Sequence, residues 1–299
     1  MVEVSLYFGK KKLRMTAVIV AAVILFAVAA LCVIVFIPGR GLMTVSAGRK
    51  LFANERYIIH AGGGVADAAG NVLTYTNSRE ALENCYASGN RIAEFDLMVT
   101  SDDRIVCAHA DEESGNWAYG VDAGHGPDYP PTYDDFMAAK FDGTLTTMSF
   151  DDLAAFMNEH PDFYVVTDTK DDNERICGMI RDTHPELAGN LIVQIYHSDE
   201  YDRIRQIGFP YMIYTLYMAS DEERTPEALA SFTGSRKLIG VTFWDGFTED
   251  CADSFEALCA AGVPMFVHTI NDKDEMRSYI NEGVCGIYTD VTDKEEQYR

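Results

Sequence analysis

From Tyr57 onward, short apolar runs alternate along the chain with stretches in which apolar residues recur at helical spacing. The apolar runs are rich in Val, Ile, Tyr and Phe, the residues that β-strands favour. Eight strands are predicted on this basis: Tyr57–Gly62, Arg91–Thr100, Phe163–Lys170, Leu191–Tyr196, Tyr211–Tyr217, Leu238–Trp244, Val263–Thr269 and Gly286–Asp290. Because eight strands with helices between them favour a closed parallel sheet, the pattern predicts a (β/α)8 TIM barrel, an α/β fold.

Amphipathic stretches between these strands predict six helices: Ser78–Ser88, Ser149–Glu159, Glu174–His184, Thr225–Phe232, Asp253–Ala261 and Lys273–Glu282. Asn77 and Glu80 resemble an N-cap residue and its capping partner at the start of the first helix. Residues 101–148 are too many for a simple loop between a strand and a helix. We expect a β-arm at Ile105–Ala110 and an insertion, at about 111–148, that lies over the barrel mouth.

The N-terminal segment has another pattern, because Thr16–Ile37 is an uncharged apolar run of 22 residues. A helix of that length spans a hydrocarbon core of about 30 Å, and the run exceeds the usual apolar stretch of a cleaved signal peptide. We therefore predict a single transmembrane helix over 16–37. Basic residues crowd its N-terminal flank, which predicts a cytoplasmic N-terminus (1–15) and an extracytoplasmic domain (56–299) on a short stalk (38–55). The predicted location is the cell membrane, crossed once.

Charge and cysteine content narrow the classes of partner. The chain has 47 acidic and 24 basic residues, with a formal net charge of −23. Nucleic acids are excluded as partners, because phosphate backbones demand clustered Lys and Arg. The seven cysteines form no CxxC pair, so a zinc site is not supported. We expect free and mostly buried thiols. The alternative, in an oxidising compartment, is that one or more disulfides form.

Glu94 and Asp96 have the spacing that places two side chains on one face of a strand. Two buried acids side by side repel each other unless a cation or a proton lies between them. Asp168 and Lys170 show the same alternation at the end of the next predicted strand. Three carboxylates that converge would supply oxygen ligands for Ca²⁺ or Mg²⁺. A salt-bridged polar layer that includes Lys170 is the alternative explanation of the same pattern.

Two histidines occupy positions suited to proton transfer, since His60 ends the first predicted strand and His109 lies on the predicted arm. An imidazole changes its protonation near neutral pH, which makes the pair a candidate acid and base. Gly62 belongs to a glycine-rich turn after His60, where backbone N–H groups can approach a phosphate. Trp244 and Tyr217, near strand ends, can pack on an alcohol or belong to the core or rim.

The order of these elements resembles the glycerophosphodiester phosphodiesterase family, within the phosphatidylinositol-phospholipase-C-like phosphodiesterases. The resemblance covers about residues 57 to 290. It is carried by His60–Gly63, Thr76–Leu82, Glu94–Leu97, Thr100–Asp103, Ile105–His109, Val165–Lys170, His268–Asp272 and Gly283–Asp290.

The resemblance implies a TIM barrel that hydrolyses a phosphodiester to a phosphomonoester and an alcohol with a divalent cation, Ca²⁺ or Mg²⁺. His60 and His109 would be the general acid and base. The cation would be bound by three carboxylates, those of Glu94, Asp96 and Asp168. Phosphate or substrate contacts would come from Lys170, Gly62, Trp244 and His268.

The chain departs from the family pattern at three places. Ala61 stands where the family usually has Arg, Tyr75–Ser78 replaces Pro-Glu-Asn-Thr, and Asp168 replaces a longer Glu. Losing an Arg removes a bidentate phosphate contact, so the identity of the substrate stays open. The expected substrate is a glycerophosphodiester or a related lipid-derived or envelope phosphodiester, with glycerol 3-phosphate as product. The alternatives are a phospholipase C or D acting on intact lipid and an inactive barrel that binds envelope components.

Overall fold

Eight parallel strands close into a barrel in the computed structural model, which describes residues 50–298 except 51, 53, 68, 110–129 and 170. We number the barrel strands in chain order: β1 (Tyr57–Ile59), β2 (Ile92–Val99), β3 (Tyr164–Thr169), β4 (Leu191–Ile195), β5 (Met212–Thr215), β6 (Gly240–Trp244), β7 (Met265–His268) and β8 (Gly286–Thr289). Each strand pairs in parallel with the next, and β8 pairs with β1. The predicted (β/α)8 barrel is confirmed.

The predicted transmembrane helix Thr16–Ile37, nearly all of the stalk and Lys170 lie outside the described residues. As far as the structure describes residues 50–298, no helix combines the length and apolar character needed to cross a bilayer. The membrane span and the domain boundaries therefore stay predictions.

Nine α-helices lie in the described part of the chain: α1 (Arg79–Ala87), α2 (Tyr133–Ala138), α3 (Phe150–Glu159), α4 (Asn173–Thr183), α5 (Glu200–Ile207), α6 (Pro226–Ser235), α7 (Phe247–Asp250), α8 (Ala252–Ala261) and α9 (Lys273–Asn281). All six predicted helices are present, with shifted ends. The sequence did not reveal α5, because this short helix buries only Tyr201 and Ile204 and its other positions are largely charged or polar. Two apolar positions are too few to establish a helical period.

The first helix begins one residue later than predicted, so the N-cap assignment of Asn77 was wrong. Ser78 is the N-cap, because its hydroxyl accepts a hydrogen bond from the backbone N–H of Ala81 at 3.2 Å. The buried amide of Asn77 instead bonds to Asp96. Glu80 accepts hydrogen bonds from the N–H and hydroxyl of Thr146, both at 2.8 Å.

The predicted β-arm is present as the short strand Ile105–Cys107, which pairs antiparallel with Leu97–Val99 of β2. Its other edge pairs with Met148–Ser149. Residues 130–148 pack through a separate apolar cluster against the arm and α1, and none of them lines the central cavity. The rest of the predicted insertion, residues 111–129, lies outside the described part, as does Ala110 of the predicted arm. The predicted position of the insertion over the barrel mouth therefore stays a prediction.

The interior near the amino-terminal ends of the strands is apolar and closed by Phe52. This side chain is 3% exposed and its ring meets that of Phe266 edge-on at 4.9 Å. The surrounding layer contains Ile58, Ile92, Val166, Ile192, Tyr211, Ile213 and Ile239. In a (β/α)8 barrel the chemistry belongs to the opposite end, where the strands finish.

Six of the seven cysteines are described, and all six are free thiols. Cys85, Cys107 and Cys177 are buried as expected, whereas Cys259 and Cys285 are exposed. Burial raises the pKa of the Cys85 and Cys177 thiols, which disfavours their reactive thiolate form. Cys32 lies outside the described residues.

Candidate active site

A polar cavity of about 190 Å³ opens at the carboxyl ends of the barrel strands. Its walls come from His60, Tyr75, Glu94, His109, Asp168, Gln194, Tyr217, His268 and Tyr288. Both predicted acid–base histidines therefore face the same space as two of the predicted carboxylates. A larger groove, of about 580 Å³, lies elsewhere and holds none of these residues.

The three predicted carboxylates meet beside this cavity. Strand alternation turns Glu94 and Asp96 to one side of β2, while Phe95 packs into the core on the other. Asp96 lies directly opposite Asp168 in the pairing of β2 with β3. One oxygen from each carboxylate lies within 4.8 Å of the others. The convergence expected from spacing is thus present.

Each carboxylate is held by a different neighbour. Glu94 accepts a hydrogen bond at its Oε2 from the backbone N–H of Ala61, at 2.9 Å. Asp96 is bound by Asn77, whose amide donates to its Oδ2 at 2.9 Å and accepts from its backbone N–H at 3.0 Å. Asp168 accepts hydrogen bonds from the hydroxyls of Tyr196 and Tyr217. These contacts fix the direction in which each carboxylate points.

The residues fit a divalent cation. Glu94 is 1% exposed, and its Oε1 has no hydrogen-bond partner among the described residues. Burial, followed by the nearby charge of Asp96, raises the pKa of Glu94 well above its usual value. An unpaired buried carboxylate oxygen costs several kcal/mol, which a cation would offset. An all-carboxylate set of oxygen donors is the kind that Ca²⁺ and Mg²⁺ prefer.

His60 is fixed at the end of β1 by Asp290. The two side chains are joined at 2.9 Å through His60 Nδ1, so His60 Nε2 is directed toward Glu94, 4.0 Å away. Burial by itself lowers the pKa of His60, but the Asp290 hydrogen bond and the charges of Glu94, Asp290 and Asp96 together raise it to about 9. Asn271 in turn donates to Asp290 at 2.7 Å. The only sequence signal for Asp290 was its place at the end of the eighth strand.

The ring of Tyr75 packs against both histidine rings. Its ring meets His60 edge-on at 4.3 Å between centroids and His109 at 5.3 Å. Its backbone has a φ of 65°, which a bulky residue rarely adopts. Burial and the charges of Asp96 and Glu94 raise the pKa of the Tyr75 phenol, so it stays protonated as a hydrogen-bond donor. In the sequence, this position stands out only by its departure from the family pattern.

Gly62 lies in the turn that follows His60, but it does not line the cavity. A Cβ atom there would approach Ala81 Cβ and the Phe95 ring to 3.1 Å, and its φ is +79°. The glycine therefore allows this turn to pack closely against both α1 and Phe95 of β2. Its predicted phosphate contact stays a prediction.

The remaining predicted substrate residues divide between two places. His268 lines the cavity at the end of β7, beside the ring of Tyr217 at 5.2 Å. Trp244 instead packs on Phe247 at 4.9 Å and lines the separate groove with Arg224. The structure thus does not bring Trp244 to the central cavity. Lys170 lies outside the described residues, so its predicted phosphate contact is not tested.

The fold and site define a (β/α)8 barrel with histidines and carboxylates gathered in a pocket at the carboxyl ends of its strands. No protein-family model matches the chain, and no curated protein of similar sequence was found. Solved structures do match, among them three phosphodiesterases at 14% to 17% sequence identity. At such identities the likeness establishes the fold.

The first of these is a glycerophosphoryl diester phosphodiesterase from Parabacteroides distasonis, with a TM-score of 0.64 and 14% identity over 85% of this chain and 92% of the other. The glycerophosphodiester phosphodiesterase from Thermotoga maritima has a TM-score of 0.57 and 17% identity, covering 80% and 95%. A phosphodiesterase from Oleispira antarctica, solved with the product sn-glycerol-3-phosphate, has a TM-score of 0.58 and 15% identity, covering 80% and 94%.

Proposed function

We propose that the protein is a phosphodiesterase of the glycerophosphodiester phosphodiesterase type, which uses Ca²⁺ or Mg²⁺. Its substrates would be glycerophosphodiesters or related lipid-derived or envelope phosphodiesters, cleaved to a phosphomonoester such as glycerol 3-phosphate and an alcohol. The observation that carries the proposal is the meeting of His60 and His109 with three converging carboxylates at one cavity. The product in the Oleispira structure, sn-glycerol-3-phosphate, is the phosphomonoester that we propose this protein releases.

The two imidazoles divide the proton transfers. One removes the proton from the oxygen that attacks phosphorus, and the other donates a proton to the oxygen that leaves as the P–O ester bond breaks. Asp290 holds the His60 ring so that its Nε2 stays free for this exchange. A cation bound by Glu94, Asp96 and Asp168 would offset the negative charge that develops on the phosphate oxygens.

The predicted anchor bears on the substrate. The apolar run Thr16–Ile37 and its basic N-terminal flank support a single-pass membrane protein with a cytoplasmic N-terminus and an extracytoplasmic barrel. Such an anchor would keep the site within reach of lipid-derived diesters. Protease added to intact cells should then remove the barrel while the N-terminal segment stays protected. Protection of the barrel would contradict this orientation.

The decisive experiment is a substrate panel with the purified full-length protein. Glycerophosphodiesters should release glycerol 3-phosphate in a reaction that chelator stops and added Ca²⁺ or Mg²⁺ restores. Release of an inositol phosphate or cleavage of intact lipid would favour the phospholipase alternative. Binding without turnover of any diester would favour an inactive barrel.

Substitution of the histidines tests the site itself. His60→Ala and His109→Ala should each lower kcat by about 100- to 10,000-fold, the usual contribution of a general acid or base. His197→Ala is the matched control, since this histidine has a 47% exposed side chain and does not line the cavity. Wild-type rates in either active-site variant would refute the acid–base assignment.

A further inference from the structure

Two tyrosines from neighbouring barrel strands bond to a single carboxylate of the candidate cation site. Tyr196 follows β4 and Tyr217 follows β5, and both hydroxyls donate to Asp168. The two rings meet each other at 5.9 Å between centroids. Neither tyrosine was singled out from the sequence as a partner of the carboxylates.

The two hydroxyls are bound very differently. Tyr196 is 5% exposed and does not line the cavity, and its oxygen also accepts the backbone N–H of Thr169 at 2.8 Å. Its donor and acceptor capacity are therefore both used within the protein. Tyr217 does line the cavity, and it shares one hydrogen between Asp168 Oδ1 at 3.2 Å and Oδ2 at 3.0 Å. A shared hydrogen bond of this length is weaker and easier to exchange.

Cation binding would compete with one of these bonds. An ionised carboxylate has about four acceptor positions, and three contacts from the two phenols already use positions on both oxygens of Asp168. A cation that takes one oxygen would compete first with the longer, shared bond from Tyr217. The Tyr217 ring need not move, because a hydroxyl hydrogen re-aims by rotation about the C–O bond. Tyr196 and His268, packed against that ring, hold it in place.

We propose that Tyr196 is a positioning residue that keeps Asp168 directed at the cation, whereas Tyr217 passes its hydrogen bond from Asp168 to a phosphate oxygen of the substrate. The inference rests on the proposed function and adds a phosphate contact from this chain's own residues. Tyr217 then touches the substrate, and Tyr196 acts only through Asp168.

The test measures two affinities by calorimetry on the full-length protein. The first titration adds Ca²⁺ or Mg²⁺ alone, and the second adds sn-glycerol 3-phosphate to cation-saturated protein. Tyr196→Phe should weaken cation binding by about tenfold or more, because Asp168 loses its fixed donor. Tyr217→Phe should leave cation affinity within about twofold but weaken glycerol 3-phosphate binding by about tenfold or more.

Tyr86→Phe is the matched control, because this tyrosine also donates to a carboxylate, that of Asp162 at 3.0 Å, but does not line the cavity. It should change neither affinity by more than about twofold. Thermal unfolding of each variant checks its fold, and the Tyr217 comparison stands even if Tyr196→Phe does not fold.

Three outcomes would overturn the inference. If Tyr217→Phe weakens cation binding as strongly as Tyr196→Phe and leaves glycerol 3-phosphate binding intact, both tyrosines only position Asp168. If neither variant changes either affinity, the tyrosines are structural. If the wild-type protein binds no cation, the cation site itself fails and the inference with it. Hydrolysis by the wild type in the first two cases would leave the proposed function standing.

Discussion

The two ends of the barrel are built on opposite principles. At the amino-terminal end, Phe52 and Phe266 fill a dry layer in which the side chains are almost all apolar. At the carboxyl end, Glu94 carries a buried carboxylate oxygen with no partner among the described residues. Burial of apolar surface stabilises the first end, whereas crowded buried carboxyl groups destabilise the second unless a cation is present. Stability and chemistry are thus separated along the barrel axis.

The largest effect should follow from Glu94→Gln, which makes the polar end less charged without changing its shape. Hydrolysis should fall by about 100- to 1000-fold, because the cation loses a ligand. The metal-free protein should at the same time unfold at a higher temperature, since the substitution removes a carboxyl group whose ionisation is opposed by burial and by Asp96. Activity assays and calorimetric melting of the apo-protein check the two halves. A lower melting temperature would mean that the Glu94 carboxyl group does not destabilise the metal-free protein.

Phe52→Ala should do the reverse at the dry end. Removing this buried ring should lower the free energy of unfolding by about 3–5 kcal/mol, through lost burial and the cavity left behind. Rates measured well below the melting temperature should stay near those of the wild type. Val72→Ala, at a 70% exposed position, is the control and should cost less than about 0.5 kcal/mol. A large loss of activity in folded Phe52→Ala would show that the two ends are coupled.

Asn77→Gly should weaken cation affinity by about 10- to 100-fold, the usual effect of removing a residue that orients a metal ligand. Glycine keeps the backbone φ of 49° but loses both hydrogen bonds to Asp96. Calorimetric titration with Ca²⁺ or Mg²⁺ measures the change, with the exposed Asn71→Ala as a control. Unchanged affinity would mean that Asp96 is held by other contacts.

The smallest effect concerns pH. In the metal-free protein the His60 pKa of about 9 exceeds its unfolded value of about 6.5, so this group stabilises the fold fully below pH 6.5 and loses that contribution as the pH rises through 9. Asp290→Asn should lower the pKa of His60, because it removes the charged acceptor of the His60 hydrogen bond. NMR titration of the His60 ring measures the shift. An unchanged pKa would assign the effect to Glu94 instead.

The sequence predicted the features that follow a repeating pattern of residues. It missed the features that depend on a single tertiary contact. Periodicity located all eight strands, and alternation brought Glu94 and Asp96 to one side of β2. The role of Asn77 was misread, because the same residue types cap helices and orient carboxylates, and only the tertiary structure chooses between them. Tyr217 and Asp290 reach the site from strands distant in sequence, and no local pattern signals such contacts.

The arm Ile105–Cys107 has a consequence beyond carrying His109. Because β1 is short, it pairs with β2 only at Ile59 and Ala93, and on that side the upper part of β2 would be left with open backbone groups. The arm pairs there with Leu97–Val99 and so gives these backbone groups hydrogen-bond partners. The same short strand therefore covers the open edge of β2 and leads directly to His109, so a graft that exchanged this arm could replace the imidazole only if it also paired with that edge.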